Sequence, residues 1–558
     1  MASLTKIYQN SFRTNFMLPA VTDYGSDTTL TYGEFAKKIA RIHLLYESCG
    51  VKKGDKIALM GKNTPDWVAV FMATITYGAV IVPVLQDFNP RDAQHIINHS
   101  DAVLLFISEH IYEHMDFNEL PNVKAAVSLD RRVVLDEISD GKRKGVFSSS
   151  LRGLTRRINN KYPTGFAGND IVYADMDLDD VAVINYTSGT TGFSKGVMLT
   201  YGNLLGNVMF GIESGLHYQG SRALSFLPLA HAYGCAFDML VPLAVGSHVT
   251  LLGKIPSPQI LMRAFARVKP SLIICVPLIL EKIYRKLIVP MITTRAMRWV
   301  LAVPGLDRAI YMRIKARLVE AFGGEFEEVI VGGAPLNPEV EDFLHKIKFP
   351  FTVGYGMTEC GPLISYTPWQ EFIPGSSGAT LPGIMQARTV RPEDAPEDAP
   401  GEILVKGQNV MKGYYKNPEA TADVLDADGW LRTGDMGFIG GPGDTTIFIR
   451  GRYKTMLLSA NGQNIYPEEI EAKLNNMPYV GESLVVERNG RLTALVYPDM
   501  EALDRDKLTV DSLEPIMAQT RVELNRLLAP YEQIEKIQLI PEEFEKTPKR
   551  SIKRFLYS

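Results

Sequence analysis

Cysteine is scarce in this chain. The four thiols, Cys49, Cys235, Cys275 and Cys360, lie far apart in apolar or glycine-rich settings, with no CxxC and no Cys/His ligand spacing. A disulfide framework and a structural zinc site are thereby excluded. Reduced core thiols, and with them a cytoplasmic protein, are the expectation. Charge of one sign is lacking too: 59 basic against 63 acidic residues leave a net charge of -4. That balance excludes a global polyanion binder, so no nucleic acid partner is expected, and it excludes a disordered acidic chain. The opening MASLTKIYQNSFRTNFML holds no continuous apolar stretch, so no secretory signal is expected. No internal repeat is visible.

Long apolar runs are few. One, WVAVFMATITYGAVIVPVL between Asp66 and Asp87, is charge-free over about the length of a bilayer span. Its interior argues against a span. Gly78 falls where a helix starting near Pro65 would end, and AVIVPV (79–84) is a β-branched run of strand length. The pattern predicts helix, glycine cap and buried strand.

What is present is the makeup of an ordinary globular protein, 46% apolar and 22% charged, in a chain of 558 residues that is too long for one core. KIALMG (56–61), AVLLFIS (102–108) and VAVINYTS (181–188) alternate with helix-period stretches; SLIICVP (271–277) and EEVIVGGAP (327–335) continue the series. Apolar runs without polar alternation fit strands covered on both faces, hence an α/β domain of mostly parallel sheets flanked by helices. Residues 140–180 are polar and glycine-rich and read as a surface excursion. After about residue 385 short strands punctuated by Gly, Pro and Asp predict antiparallel hairpins. The ED-AP-ED stretch reads as a solvated turn. The expected division is a large domain over 1–451 with a β-rich part at about 386–451, a hinge at 452–455, and a small mobile α+β domain over 456–558.

The stretch YTSGTTGFSKG (186–196) follows a strand directly, at the end where α/β folds bind ligands. Its glycines let backbone N–H groups turn toward an anion, the hydroxyls of Thr187, Ser188, Thr190 and Thr191 add donors, and Lys195 adds a positive charge. This composition cradles phosphate. The spacing is not that of a Walker A loop, because no Ser or Thr follows the lysine.

The stretch resembles the phosphate loop of the AMP-forming adenylating enzymes, the superfamily of acyl-CoA synthetases, adenylation domains and luciferases. Further stretches follow in the family's order: LTYGEFAKKIA (30–40), GAVIVPVLQDFNPRD (78–92), FLPLAHAYG (226–234), VGGAPLNPEV (331–340), VGYGMTE (353–359), GWLRTGDMG (429–437), IRGRYKT (449–455) and NGQNIYPEEIE (461–471). The similarity spans residues 28–558. One departure is Ser194, where the family usually has proline.

The resemblance implies ATP, Mg²⁺ and coenzyme A as cofactor and co-substrates. Thr187, Ser188, Gly189, Thr190, Thr191 and Gly192 with Lys195 would hold the phosphates. Gly332, Gly333 and Ala334 would border the adenine, and Tyr355, between Gly354 and Gly356, would stack on it. Thr358 would contact the α-phosphate, and Glu359 with Thr187 would hold Mg²⁺. Asp435 and Arg452 would take the ribose, with Lys454 at the hinge. His231 would border the acyl and thiol entry; on its residues alone it reads equally as a core histidine. Gly462 would line the pantetheine tunnel. Family members commonly end with a catalytic lysine where this chain has Ser551, and Lys549 and Lys553 stand two residues to either side of it.

RVKPSLIICVPLILEKIYRK (267–286) and the segments after it most resemble the long-chain fatty acyl-CoA synthetase branch. The implied reaction is ATP-dependent formation of an acyl-AMP from a fatty acid, then transfer to CoA with release of AMP. Three alternatives stay open: an acyl-AMP ligase loading a carrier protein, a synthetase for an aryl or shorter acid, and a weakly catalytic acyl-adenylate-binding homologue. Basic residues recurring from Arg295 to Arg317 between apolar ones read either as a peripheral membrane-surface patch or as a solvated helix face.

Overall fold

The computed structural model describes residues 3–557 apart from 139–144, 188–194, 254–256, 293, 295–296, 298, 300–302, 304–305, 392–398, 442, 459–463, 489 and 548–551. Two large sheets form the frame. In one, the strands Val181–Thr187, Val80–Val84, Lys56–Met60, Ala102–Ile107 and Ala125–Ser128 run parallel, with antiparallel strands at both edges. In the other, Phe351–Val353, Glu328–Val331, Leu272–Cys275, Arg222–Ser225, His248–Leu251 and Pro19–Asp23 are parallel, and Thr28–Thr31 pairs antiparallel at the edge. Their burial explains their sequence: Val80–Val84 is buried at every position, as a strand covered on both faces must be.

The segment that raised the membrane question folds as its pattern predicts. Thr64 caps a helix Pro65–Tyr77, Gly78 ends it in the left-handed region at φ 91°, and the strand follows. Among the described residues no helix is long and apolar enough to cross a membrane. Of the basic stretch, Arg308, Arg313 and Arg317 lie on an exposed face of the helix Leu306–Ala321 beside the exposed Leu306 and Met312, and Arg295 and Arg298 lie outside the described residues.

One expectation needs correction. The polar stretch 140–180 carries a helix, Val146–Lys161. Phe147, Leu151, Leu154 and Ile158 recur at helical spacing, and Leu154 and Ile158 pack with Leu44 of the helix Tyr32–Cys49. Its polar residues are the outer face of that helix. The ED-AP-ED stretch lies outside the described residues.

Met385–Val390, Gly401–Gly407, Leu431–Ile439 and Ile447–Arg452 form an antiparallel sheet. Beyond it, residues between Ile465 and Ile534 build a core of their own around the strands Val480–Arg488, Arg491–Pro498 and Lys536–Leu539. This small unit meets the large one through a pair of amides. Asn337 Nδ2 donates to Asn476 Oδ1 at 2.5 Å and Asn476 Nδ2 returns a bond to Asn337 Oδ1 at 3.0 Å. Arg285 also donates to the Asn475 carbonyl at 2.9 Å.

Burial pushes two carboxyls of the large unit up to about 7: Glu328, held by the Tyr366 hydroxyl and the Trp369 N–H, and Glu341. A raised folded-state value means that the proton is held more tightly in the native state. The stabilisation is complete below the ordinary carboxylate range and is lost as pH rises through about 7. Melting temperature is therefore expected to fall between pH 5 and 8, and Glu328→Gln to flatten part of that slope, worth roughly 3 kcal/mol. Melting curves in matched buffers check this; identical slopes for wild type and variant would count against it.

Candidate functional site

The C-terminal ends of both parallel sheets open on one cleft, the position where α/β folds place ligands. Thr187 ends one strand, and antiparallel pairing sets Lys195 directly opposite it. In the other sheet, Val331 leads to Gly332 and Gly333, and Val353 to Gly354 and Tyr355. The cavity measures about 920 Å³ and is lined by Thr187, Lys195, His231, Gly332, Gly333, Gly354, Tyr355, Gly356, Thr358, Glu359, Arg452 and Lys454. That is near the upper end for a small-molecule site. Residues up to 267 positions apart, Thr187 and Lys454, meet there as the sequence motifs required.

The glycines are there for steric reasons. A Cβ on Gly332 would meet the Tyr233 ring at 3.0 Å, and one on Gly356 would sit 2.2 Å from the Pro362 carbonyl oxygen. Tyr233 itself is fixed by donating to the Ile330 carbonyl at 3.0 Å.

Behind one wall of the cleft, Asp435 is 4% exposed and holds two partners. Tyr355 donates its hydroxyl to Asp435 Oδ2 at 2.6 Å, and Arg452 Nε lies 2.8 Å from Oδ1. Register explains the second contact, since Asp435 and Arg452 are directly paired across the antiparallel sheet. Burial outweighs the guanidinium and raises the Asp435 carboxyl above its ordinary range. Burial, and then the Asp435 charge, raise the Tyr355 phenol.

Elsewhere in the cleft, Glu359 accepts a hydrogen bond from Tyr414 at 2.9 Å, and Lys195 Nζ stands 4.7 Å from the centre of the same ring. The Thr187 hydroxyl reaches back to the Lys195 carbonyl at 3.5 Å. The hard oxygens of Thr187 and Glu359 suit Mg²⁺, which takes one or two protein ligands and completes its shell with water and phosphate. Among the described residues no group of three or more His, Cys, Asp or Glu could hold a metal ion.

One family match decides what kind of protein holds such a cleft: the AMP-binding enzyme family matches residues 10–415. The chain belongs to the AMP-binding enzyme family. It is an acid–thiol ligase that uses ATP and works through an adenylate. This AMP-binding enzyme is similar to the long-chain-fatty-acid–CoA ligase FadD15 of Mycobacterium bovis, 28% identical over 94% of this chain and 90% of that protein. It is also 30% identical to the peroxisomal long chain acyl-CoA synthetase 7 of Arabidopsis thaliana, over 86% of this chain and 70% of that one. In fold it matches the anthranilate CoA ligase AuaEII in complex with anthranoyl-AMP, with a TM-score of 0.76, 18% identity and coverage of 100% of this chain and 96% of that chain.

Not every residue singled out in the sequence of the AMP-binding enzyme reaches the cleft. Ala334 is exposed and does not line the cavity, and Asp435 does not line it either, being buried behind Tyr355 and Arg452. Lys553 is also elsewhere: it caps a short turn of helix and pairs with Glu545 at 3.2 Å. Ser188 to Gly192, Ser194, Gly462, Lys549 and Ser551 lie outside the described residues. His231 is half-buried at the start of the short helix Ala232–Cys235 and faces the cavity. The residue that the sequence reading missed is Tyr414. Its signal was the Gly-Tyr-Tyr run in MKGYYKN, two aromatics in a polar segment where a solvent loop needs none.

Proposed function

We propose that the enzyme activates a long-chain fatty acid as its acyl-AMP and passes the acyl group to coenzyme A, releasing AMP and pyrophosphate. The observation that carries this reading is the continuity of the cavity. One space is lined by Lys195, Thr187 and Glu359, by Tyr355 and Arg452, and by the apolar side chains of Leu216, Phe226, Phe237, Leu261, Ile274 and Ile330, with Asp435 held behind Tyr355 and Arg452. The names of FadD15 and acyl-CoA synthetase 7 support a long chain as the acid that meets that apolar lining.

A carboxylate is a poor electrophile, so the chemistry needs a nucleotide held rigidly beside it. Asp435, fixed from both sides, accepts the ribose hydroxyls while Tyr355 walls the adenine. Lys195 Nζ and the preceding loop offset charge that builds on the phosphates as the acid attacks. Glu359 and Thr187 would hold Mg²⁺, which neutralises phosphate charge when bound. Lys454, at the cavity rim and just past the last strand of the large unit, marks the hinge at 452–455 about which the small unit turns between half-reactions.

Pyrophosphate release from MgATP across a series of saturated acids, each with and without CoA, tests the reading. Release is expected to rise with chain length and to turn over repeatedly only with CoA. Lys549→Ala and Lys553→Ala, measured alongside, assign the displaced lysine by which one loses adenylation. Release that peaks with an aryl acid, or turnover with a phosphopantetheine carrier and not with CoA, would replace the proposal by the corresponding alternative.

A further inference from the structure

Tyr414 belongs to none of the roles assigned above, yet it is the side chain that links the two charged groups Lys195 and Glu359. It sits in the two-residue strand Gly413–Tyr414, hydrogen-bonded antiparallel to the strand Lys195–Thr200, with Tyr414 opposite Val197. Its own N–H donates to Thr421 Oγ1 at 2.9 Å, and the next residue's N–H donates to the Gly196 carbonyl at 2.7 Å. The backbone therefore leaves the ring little freedom, and the side chain is 7% exposed. From this position the hydroxyl donates to Glu359 Oε1 while the ring face receives Lys195 Nζ. The Met411 N–H holds the Glu359 carbonyl at 2.8 Å, so the same segment fixes the acid's backbone.

A lysine and a glutamate sharing one cleft attract each other, and in a partly desolvated site that attraction is strong. Lys195 and Glu359 nonetheless form no ion pair with each other; each is bound to a different part of the same tyrosine. We infer that Tyr414 is a positioning residue that keeps Lys195 and Glu359 apart, so that the carboxylate stays open to a divalent cation and the ammonium to phosphate. The inference rests on the proposed roles of those two residues. A cation on a ring face gives up less on transfer to phosphate than one locked to a carboxylate. Glu359 keeps an oxygen beyond the one bonded to Tyr414, so a cation can be taken without breaking that bond.

Two variants separate the parts. Tyr414→Phe keeps the ring and removes the hydroxyl; Tyr414→Leu removes both and preserves an apolar filler. The measurements are calorimetric binding of ATP to the full chain at a series of Mg²⁺ concentrations without acid, the half-saturating Mg²⁺ and ATP in pyrophosphate release, and the melting temperature. Tyr414→Phe is expected to raise half-saturating Mg²⁺ about threefold with little change for ATP. Tyr414→Leu, which frees Lys195 to pair with Glu359, is expected to raise both about tenfold or more. A merely structural tyrosine would lower kcat or melting temperature and leave both half-saturation values unchanged, and that result overturns the inference. Should Tyr414→Leu fail to fold, the Mg²⁺ shift in Tyr414→Phe decides alone. Wild-type protein that binds ATP without any Mg²⁺ dependence would instead sink the assignment of Glu359 on which the inference stands.

Discussion

Asp435→Ala is expected to lower kcat/KM for ATP by at least about 100-fold and to cost roughly 2 kcal/mol of stability. Both effects come from one buried carboxylate with two neighbours. Its removal leaves the Tyr355 hydroxyl without its 2.6 Å partner in a buried site, and an unsatisfied buried donor costs about 1–3 kcal/mol. Hydrogen bonds to a charged group are worth about 1.5–3 kcal/mol each, so two lost ribose contacts account for a factor of at least about 100. Asp435→Asn separates shape from charge. It can still accept from Tyr355, and should melt close to wild type while losing most of the ATP effect. Steady-state kinetics at varied ATP and urea denaturation check both variants. An alanine variant within threefold of wild type in kcat/KM would remove Asp435 from the ribose site.

Glu359→Gln is expected to lower pyrophosphate release by about 100- to 1,000-fold, the usual scale for removing one preorganised charge contact at a reacting phosphate. Glutamine keeps the length of the side chain and can still accept from Tyr414, so the fold should hold. What disappears is the negative charge that draws Mg²⁺ beside Thr187 and Lys195. Raising Mg²⁺ should recover only part of the rate, whereas raising ATP at fixed free Mg²⁺ should recover none. Full recovery at high ATP would place the defect in nucleotide binding, and Glu359 would no longer be the metal ligand.

The parts of this protein legible in its sequence are those where local pattern and tertiary position agree. Gly78 closes a helix because its left-handed φ is needed there, and AVIVPV is uniformly apolar because both faces of its sheet are covered. The motif residues Thr187, Tyr355 and Arg452 reach one cavity because each sits at a strand end, and Glu359 reaches it from the short 3-10 turn Thr358–Cys360 just beyond Tyr355–Gly356. Pattern fails where polarity masks periodicity, as in the helix Val146–Lys161, whose apolar stripe is narrow. It fails also where a role depends on a distant pairing. Tyr414 matters because its strand lies against one that begins 219 residues earlier at Lys195, and no window of sequence around it contains that fact.

The contact between the small unit and the large one is made chiefly of amides and a backbone carbonyl, Asn337 with Asn476 and Arg285 with the Asn475 oxygen, beside an exposed Arg450–Glu469 pair at 3.8 Å. Amides do not titrate, and salt screens them weakly compared with paired charges. The contact is not blind to pH, however: Glu281, whose carboxyl burial raises above its ordinary range, accepts the Asn337 N–H at 3.1 Å beside Arg285. Protons therefore reach the seam through that carboxyl and the Arg450–Glu469 pair, while the amides themselves stay indifferent to them.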